Sequence, residues 1–552
     1  MCDQLRADHL GCAGHPYLRT RNIDALARRG VRFSNAFVNS NVCGPSRMSY
    51  YTGRYPSSHG ATWNRVPLSV GERTLGEYLR GGGHDLWLAG KTHVMPDEEG
   101  LQRLALDGGS ELAQLLRSGG FRELDRHDGH HETQGGDGYS GWLREQGYAG
   151  ATPWSDHVIS AIDAQGQVVS GWQMRNVHLP ARVQERHSET AYMTDQAIGF
   201  MRRRGDRPWV LNLSYVKPHW PYLAPAPYHA MYTAAQCLPT VKRASELRQA
   251  HPVVAAYRQH EESATFARDE VVRHVRPAYQ GLVKQLDDHL GRLFEAMAAM
   301  GRLDDTMVIF CADHGDFLGD HWLGEKELFY DTVQRVPFIV ADPRREADAS
   351  RDTVDERFVE CVDVVPTVLE ALGVPVPGHR IEGRSLLPLL RGESPPWRDF
   401  VYAELDYGFK AARLALGRTP QESRAFSLRT RSHRYVNWLD LPEQLYDLRC
   451  DPDQFEDLGQ DAGSEATRRQ LRDTLLDFLA RRKHRTTLSD EQVQAGTDRH
   501  KAAGCSTVSG SSGPLRAGRQ RLPPEAPPAR PFLTAAARGS AASNAPTIDF
   551  EP

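Results

Sequence analysis

The stretch TMVIFCADHGD, residues 306–316, holds the pattern that decides the fold. An apolar run at 306–312 is followed at once by Asp313-His314-Gly315-Asp316, and such a run predicts a strand buried on both faces of a sheet. Three further apolar runs share this texture, and polar residues directly follow three of the four; they lie at 84–89, 209–216 and 336–341. We expect all four to be strands of one parallel sheet.

Helices are predicted between these strands. From Tyr279 to Met297 apolar residues recur every three or four positions, which predicts a long helix that ends at Gly301. A second helix is predicted at 363–372. The alternation of strands and helices predicts an α/β fold with a mostly parallel central sheet, whose functional groups gather at the carboxyl ends of the strands.

Beyond residue 395 the sequence changes to short strand patterns, which predict a small antiparallel sheet. These patterns lie at 400–404, 423–429 and 433–438, and a closing helix is predicted at 464–482. From Gly496 onward Ala, Gly, Ser, Pro and Arg dominate, so this part has too few apolar residues to form a core. The predicted units are a catalytic α/β domain, a C-terminal subdomain and a disordered low-complexity tail, at 1–395, 396–485 and 486–552.

The composition excludes several functional classes. The chain has 552 residues, 40% of them hydrophobic, and a formal net charge of −4 with a pI near 6.6. No basic excess points to nucleic acid or to a membrane surface, and no apolar run approaches the roughly 20 residues that span a bilayer. The eight cysteines are scattered without paired spacing, which favours reduced thiols and predicts a cytoplasmic protein.

Cys43 opens the motif with the most specific chemistry, Cys43-Gly44-Pro45-Ser46-Arg47, and Thr52-Gly53-Arg54 follows shortly after. In isolation, Cys43 is better explained as a small buried residue and Pro45 as a helix start. With its fixed partners, however, the motif resembles the signature of the type I sulfatases of the alkaline phosphatase superfamily. The resemblance implies that a formylglycine-generating enzyme oxidises Cys43 to formylglycine, whose hydrate carries two hydroxyls on one carbon.

Other motifs extend the resemblance over about residues 1–457. Asp313-His314-Gly315 and Gly324-Glu325-Lys326 are similar to the DHG and GEK elements of sulfatases, and Gln444-Leu445-Tyr446-Asp447-Leu448 is similar to a landmark of their C-terminal subdomain. The resemblance implies an alkaline-phosphatase-like sandwich, in which helices flank a large central sheet and a smaller antiparallel sheet follows.

The resemblance also implies one divalent cation, Ca²⁺ or Mn²⁺. Its ligands would be Asp3, Gln4, the formylglycine made from Cys43, Asp313 and His314. Gln4 stands where many sulfatases carry a second aspartate, and this less negative donor set relaxes the preference for Ca²⁺ and admits Mn²⁺. Asp-Gln with Asp-His resembles the phosphonate monoester hydrolase branch of the superfamily. Asp8 is expected to be structural, and Asp316 and Asp320 fit a solvated turn.

Gly90-Lys91-Thr92-His93 is similar to an arylsulfatase element. In it the lysine binds the ester oxygens and the histidine helps to break down the covalent intermediate, so Lys91 and His93 would act on the substrate. Taken alone, a surface lysine and a loop histidine are the simpler interpretation. Phosphonate hydrolases lack this pair, so its presence favours a sulfatase.

Lys217-Pro218-His219-Trp220-Pro221-Tyr222 resembles an element whose histidine assists the leaving group, here His219. Its aromatic residues are expected to pack or to line the pocket. By the same resemblance Lys326 would reach the substrate oxyanion and Arg47 would steady the formylglycine hydrate. Asn64 resembles a substrate-contacting asparagine of the phosphonate hydrolases.

Together these residues predict a sulfuric ester hydrolase. One hydroxyl of the hydrate at residue 43, acidified by the cation, would attack the sulfur of a sulfate monoester. His219 with Lys326 would protonate the leaving alcohol, and His93 would take a proton from the second hydroxyl to expel sulfate. The expected partners are a small anionic ester and the maturation enzyme, with no nucleic acid and no membrane; a homo-oligomer is compatible with the sequence.

Two other functions stay open. Gln4, His314 and Asn64 suggest a phosphonate monoester or phosphodiester hydrolase with the same nucleophile. A non-catalytic binding protein is the second alternative, because the resemblance implies an apolar strand before the first metal-binding aspartate and very little sequence precedes Asp3. We expect that the natural start lies further upstream, which weakens the inference of a cytoplasmic location from the lack of a signal peptide. Substrate specificity is expected to reside in an insertion at 101–182.

Overall fold

The computed structural model describes residues 1–129 and 138–499. In these ranges the strands are β1 (Cys2–Asp3), β2 (Val31–Phe37), β3 (Leu86–Gly90), β4 (Arg122–Arg126), β5 (Ser160–Ile162), β6 (Val168–Ser170), β7 (Val210–Pro218), β8 (Val308–Cys311), β9 (Phe338–Ala341), β10 (Thr353–Glu360), β11 (Phe400–Asp406), β12 (Arg424–Thr430), β13 (His433–Trp438) and β14 (Gln444–Asp447).

The α-helices of the same ranges are α1 (Arg21–Arg28), α2 (Cys43–Thr52), α3 (Pro56–His59), α4 (Leu75–Gly81), α5 (Glu98–Arg103), α6 (Glu111–Arg117), α7 (Gly138–Glu145), α8 (Glu189–Arg204), α9 (Pro252–Tyr257), α10 (Glu261–Phe266), α11 (Asp269–Ala299), α12 (Asp331–Gln334), α13 (Val364–Ala371), α14 (Leu387–Leu390), α15 (Ala411–Ala415), α16 (Glu465–Ala480) and α17 (Asp490–Gly496). None of these helices is both long and apolar enough to cross a bilayer.

Two four-stranded sheets join into one central sheet at β1. The first has the order β1-β7-β3-β4 and is entirely parallel, and the second has the order β10-β2-β9-β8. A parallel bridge between Cys2 and Ala312 connects them, and the Asp313 N–H donates to the Cys2 carbonyl at 3.2 Å. The combined order is β4-β3-β7-β1-β8-β9-β2-β10, with only β9 antiparallel to its neighbours among these strands.

Two groups of helices flank this sheet. Helices α1, α8 and α11 pack together against strands that include β7 and β9, whereas α2, α4 and α13 form a second group that contacts β3. Buried aliphatic and aromatic side chains fill the space between helices and sheet in one large core. The predicted α/β sandwich is therefore confirmed.

A second sheet follows in the chain, with the antiparallel order β11-β12-β13-β14. Helix α16 packs on it through Leu471 and Leu475, next to Tyr402 and Tyr435. This sheet and its helix are the predicted C-terminal antiparallel part. The boundaries predicted at 395 and 485 stay a prediction, since residues 1–492 form one unit by their contacts.

The structure corrects two strand predictions. The run at 336–341 is β9, which is antiparallel, because a continuous apolar run signals burial on both faces but not strand direction. The expected insertion at 101–182 contains β4, which pairs with β3 at the edge of the central sheet. Its sequence, Arg-Glu-Leu-Asp-Arg, is polar, and its side chains are partly exposed at this edge position, so it lacks the apolar signal of a buried strand.

The predicted tail lies mostly outside the described residues. Residues 500–552 are not described, whereas α17 lies within the stretch from 486 for which no stable structure was expected. The seven cysteines of the described ranges are all unpaired. Two apolar cavities of about 340 and 140 Å³ lie beside Met1, at the amino ends of the central strands and away from the functional groups described next.

Candidate active site

The functional side chains lie where adjacent parallel strands end. Asp3 ends β1, Lys91 follows β3, and Asp313 with His314 follows β8. The strand β7 between β1 and β3 leads to His219. Because β3, β7, β1 and β8 are neighbours with a common direction, their carboxyl ends meet at one edge.

Cys43 lies at the start of α2 and points into this edge. Its Sγ is 3.0 Å from Nε2 of His314 and 3.9 Å from Oδ1 of Asp3. One donor atom from each of Asp3, Cys43, Asp313 and His314 lies within 4.8 Å of the others, and all four residues are buried. Two carboxylates, an imidazole and one further donor form a set that fits a divalent cation.

His314 is oriented for ligation by its own backbone. Its Nδ1 lies 2.8 Å from the Gly315 carbonyl, which places the hydrogen there and leaves Nε2 facing the cluster. Burial lowers the pKa of His314, but the Asp313 carboxylate and Cys43 outweigh burial and raise this pKa to about 9. A cation that enters the cluster would therefore displace a proton from this imidazole.

Arg47 and Lys91 balance the two carboxylates. Arg47 donates from Nε to Oδ2 of Asp313 at 2.7 Å, and its Nη2 lies 3.6 Å from Oδ2 of Asp3. The Lys91 ammonium forms an ion pair with the same oxygen of Asp3. Burial opposes ionisation of Asp3, but the charges of Lys91 and Arg47 hold its pKa well below the usual range. Asp3 is thus fully ionised, and Asp313 is paired with Arg47.

Gln4 is held by Asp316, which was expected in a solvated turn, and by Tyr222, which was expected to pack or to line the pocket. Its Nε2 donates to Oδ2 of Asp316 at 2.6 Å and lies 3.2 Å from the hydroxyl of Tyr222, which itself donates to Asp316 at 2.6 Å. The Gln4 amide oxygen accepts from Nζ of Lys326 at 3.4 Å. Asp316 and Tyr222 therefore fix which end of the amide faces the cluster.

The expectation that Asp316 and Asp320 belong to a solvated turn is wrong. Both are fully buried, and Asp320 pairs with Arg6 and Arg276 at 2.7 and 2.5 Å. Asp8 is structural, as expected, because it pairs with Arg6 at 2.7 Å. Aspartate occurs after strands both in solvated turns and in buried ion pairs. The sequence alone therefore did not reveal that Asp320 has buried arginine partners and Asp316 a buried amide partner.

Lys326 and His219 form a pair next to Gln4. Nζ of Lys326 lies 3.1 Å from Nε2 of His219, whose Nδ1 lies 2.5 Å from the Trp220 carbonyl. In this tautomer the Nδ1 hydrogen goes to Trp220 and Nε2 accepts from the lysine. Burial lowers the pKa of Lys326, but Cys43, Glu325 and Asp3 outweigh it and raise this pKa, so the lysine carries the proton.

Lys217 and Glu189 support the segment that carries His219. Nζ of Lys217 donates to the carbonyls of His219 and Pro221 at 3.3 and 3.0 Å and lies 3.5 Å from Glu189. Glu189 also accepts from His127 and Trp154 at 2.7 and 2.9 Å. Burial opposes its charge, yet Lys217 and His127 lower the pKa of Glu189 to about 2.

His93 lies two residues after Lys91 in the sequence, and Asn64 contacts the residue that follows Cys43. His93 is half-buried, with φ 57°, and its N–H donates to Oδ1 of Asp128 at 3.2 Å. Asn64 accepts from the Gly44 N–H at 2.7 Å, next to Cys43. The structure thus places Asn64 against Gly44, the residue after Cys43, whereas the roles predicted for the Asn64 and His93 side chains stay predictions.

The fold and the buried cluster are those of a hydrolase for anionic esters. A model of the sulfatase family matches residues 1–374, and a model described as N-sulphoglucosamine sulphohydrolase, C-terminal, matches residues 319–481. The chain therefore belongs to the sulfatase family, and it is a sulfuric ester hydrolase.

Several relatives align over most of the chain. A multifunctional alkaline phosphatase superfamily protein of Trinickia caryophylli is 32% identical, over 88% of this chain and 95% of the relative. An arylsulfatase of Clostridium perfringens is 27% identical, over 83% of this chain and 89% of the relative. The protein is thus similar both to a protein described as multifunctional and to one named for aryl sulfates.

Solved structures with the same fold include two phosphonate monoester hydrolases. The enzyme of Silicibacter pomeroyi superposes with a TM-score of 0.78 at 27% identity, covering 89% of this chain and 97% of that one. The enzyme of Agrobacterium radiobacter gives a TM-score of 0.76 at 29% identity, covering 87% and 94%. The predicted kinship with the arylsulfatase and phosphonate hydrolase branch is therefore confirmed.

Proposed function

We propose that this protein hydrolyses a sulfate monoester with a formylglycine made from Cys43, beside one divalent cation held by Asp3, Gln4, Asp313 and His314. The observation that carries the proposal is the buried cluster in which Asp3, Cys43, Asp313 and His314 bring their donor atoms within 4.8 Å of one another. The Cys43 Sγ occupies the position that the formylglycine oxygen would take.

The cation and the formylglycine would supply chemistry that ordinary side chains lack. The cation would lower the pKa of an oxygen nucleophile and offset the charge of the ester. A formylglycine hydrate would offer one hydroxyl for attack on sulfur and a second whose deprotonation restores the aldehyde. Maturation requires a formylglycine-generating enzyme, which we propose as a partner. The donor set suits Mn²⁺ as well as Ca²⁺, because Gln4 contributes an uncharged oxygen.

The residues of this chain would hold the ester in place. Lys91 and Lys326 lie on two sides of Asp3 and Gln4, so a sulfate oxygen at the cluster meets two ammonium groups. Two unit charges about 4 Å apart interact by roughly 4 kcal/mol at an effective dielectric near 20, so this local arrangement outweighs a net charge of −4 spread over the whole chain.

The pair formed by Lys326 and His219 would serve the leaving group. A hydrogen carried between Nζ and Nε2 is available to the oxygen of the departing alcohol, and general acid catalysis of this kind contributes about 10²–10⁴-fold in rate. Arg47 holds Asp313 in position through a hydrogen bond and, with Lys91, keeps Asp3 ionised. His93 is proposed to accept a proton when sulfate is released.

A phosphonate monoester or phosphodiester hydrolase is the second candidate. The observation in its favour is the neutral Gln4 amide, fixed by Asp316 and Tyr222, in a fold that superposes on two phosphonate monoester hydrolases. The non-catalytic alternative loses its premise, because Cys2–Asp3 form β1, which pairs with β7 and brings Asp3 into the cluster.

The test is the state of residue 43 in active protein. The chain is produced with and without a formylglycine-generating enzyme, and we measure the peptide mass across Cys43, the metal content, and kcat/KM for 4-nitrophenyl sulfate and a phenyl phosphonate ester. We expect an aldehyde, one divalent cation per chain and a preference for the sulfate ester. Cys43→Ala should abolish activity, whereas Cys361→Ala, at another buried cysteine, should preserve it. An intact thiol at residue 43 in fully active protein would refute the proposal.

A further inference from the structure

Two aromatic side chains from distant parts of the chain form an open stack. The rings of Trp63 and Phe409 are nearly parallel, at an interplanar angle of 9° and a centroid distance of 5.9 Å. Phe409 follows β11 of the C-terminal sheet and is 62% exposed. The two rings therefore form an aromatic surface that is largely open on the Phe409 side.

On one side the stack adjoins the nucleophile. Asn64 follows Trp63 and accepts from the N–H of Gly44, which follows Cys43, at 2.7 Å. A Cβ built on Gly44 would lie 2.7 Å from Oδ1 of Asn64 and 3.4 Å from the carbonyl oxygen of Trp63. The Trp63 backbone therefore packs directly against the first turn of α2, and no larger side chain fits between them.

On the other side the stack adjoins the leaving-group pair. Lys410 follows Phe409, and its Nζ lies 3.4 Å from Glu327, which follows Lys326. Asp406 begins the same turn and accepts from the Thr62 hydroxyl at 2.7 Å. The Trp63–Phe409 stack is thus connected on one side to Gly44, the residue after Cys43, and on the other side to Glu327, the residue after Lys326.

The position of the Trp63–Phe409 stack determines which part of a bound ester would contact the rings. In an in-line displacement the leaving oxygen departs opposite to the nucleophile, here toward Lys326 and His219, and the organic group bonded to it extends outward from there. The charged residues on either side of Phe409, Asp406 and Lys410, already have protein partners in Thr62 and Glu327. The surface offered to the organic group is therefore flat and apolar.

We propose that the Trp63–Phe409 stack is the subsite for the leaving group and that it selects esters of flat, ring-bearing alcohols over esters of small alkyl alcohols. This inference rests on the proposed function, since it takes the same anionic ester at the same site. An aromatic contact of this kind contributes a few-fold to about tenfold in binding.

The test compares ligands that share the anionic group. With the matured, cation-loaded protein we measure binding of naphthalene sulfonate and of methanesulfonate by calorimetry, and KM for 4-nitrophenyl sulfate. Phe409→Ala should weaken the naphthyl ligand about 3- to 10-fold and raise KM by a similar factor, with methanesulfonate binding and kcat unchanged. Phe409→Tyr should restore the wild-type values. Leu414→Ala, at an exposed apolar residue of the nearby α15, is the matched control and should change nothing.

The outcomes separate this inference from the proposed function. If wild-type protein fails to hydrolyse sulfate esters but Phe409→Ala still loses naphthyl binding selectively, the proposed function fails and the subsite stands. If sulfate esters are hydrolysed and Phe409→Ala binds both sulfonates as Leu414→Ala does, the subsite is refuted. Equal weakening of both sulfonates would also refute it, because it would place Phe409 in anion binding.

Discussion

The side of the site that is proposed to bind the cation and the side that is proposed to serve the leaving group are built in different ways. Asp3, Asp313 and His314 lie at the ends of central strands, where sheet hydrogen bonds fix the backbone. Lys326 instead lies in the loop at 318–328, held by buried side-chain contacts. In this loop the backbone takes positive φ at Leu318, His321, Trp322, Glu325, Glu327 and Leu328.

This difference has a functional meaning. Strained backbone of this kind is retained where surrounding contacts determine it, and it is common at functional sites. By the proposed function the strand side would determine which ion binds, whereas the loop side depends on ion pairs that single substitutions remove. We therefore expect changes on the strand side to affect cation binding and folding, and changes on the loop side to affect rate and pH dependence.

The largest effect is expected for Asp313→Asn on the strand side. It leaves the Arg47 guanidinium buried without its 2.7 Å partner, and breaking such a pair costs about 3–5 kcal/mol in the free energy of unfolding. Cation binding should be lost as well, which calorimetry with Mn²⁺ measures. Asp342→Asn, which breaks a pair with the half-exposed Arg344, should cost much less. Unchanged Mn²⁺ affinity in Asp313→Asn would show that the strand side does not bind the ion.

Lys326→Ala tests the loop side. Removal of the general acid should lower kcat by about 10²–10⁴-fold for esters with poor leaving groups, and by less for 4-nitrophenyl sulfate. The metal content should stay that of the wild type, because Lys326 donates to Gln4 and is not a ligand. Lys284→Ala, at a lysine paired within α11, is the control. Loss of the cation in Lys326→Ala would show that Lys326 also supports cation binding, so that the strand side and the loop side do not act independently.

Acid should destabilise the support of the loop side through Glu189. Its pKa is about 2 in the folded protein, well below that of an unfolded chain, so its stabilisation is present above about pH 4.5 and is lost as the pH falls toward 2. This shift corresponds to about 3 kcal/mol. The difference in melting temperature between wild type and Glu189→Gln should therefore shrink over this interval. A difference in melting temperature that is independent of pH would contradict the role assigned to Glu189. The control variant Glu98→Gln, at an exposed position, should show almost no pH-dependent difference from the wild type.

The smallest effect is expected at Asp316, which acts through Gln4. Asp316→Asn can no longer accept both hydrogen bonds in the same way, and the loss of such a supporting contact weakens cation affinity about 10- to 100-fold. Tyr222→Phe should weaken it less, and the two changes should not be additive. Additive effects would show that Asp316 and Tyr222 act on Gln4 independently.

The strand side was predictable from the sequence and the loop side only partly so. The polar residues Asp313 and Lys91 after apolar runs indicate where strands end, and the carboxyl ends of parallel strands lie at one edge of the sheet. The polar strand β4 and the antiparallel β9 were missed, because side-chain pattern reports burial and not direction or edge position. The contacts of Asp316, Tyr222 and Glu189 were missed, because tertiary packing forms them and leaves no local pattern in the sequence. Asp316 and Tyr222 meet across 94 positions, and Glu189 acts through Lys217.

The burial of Cys43 also limits when its proposed oxidation could take place. Its side chain is fully enclosed, and the residues that enclose it include Asp313 and His314, which are synthesised roughly 270 positions later. At a synthesis rate of about 5–20 residues per second, this separation lasts on the order of 10–50 s. An enzyme that oxidises Cys43 as proposed would therefore have to act while the nascent chain is still incomplete, and slower translation would lengthen the time available to it.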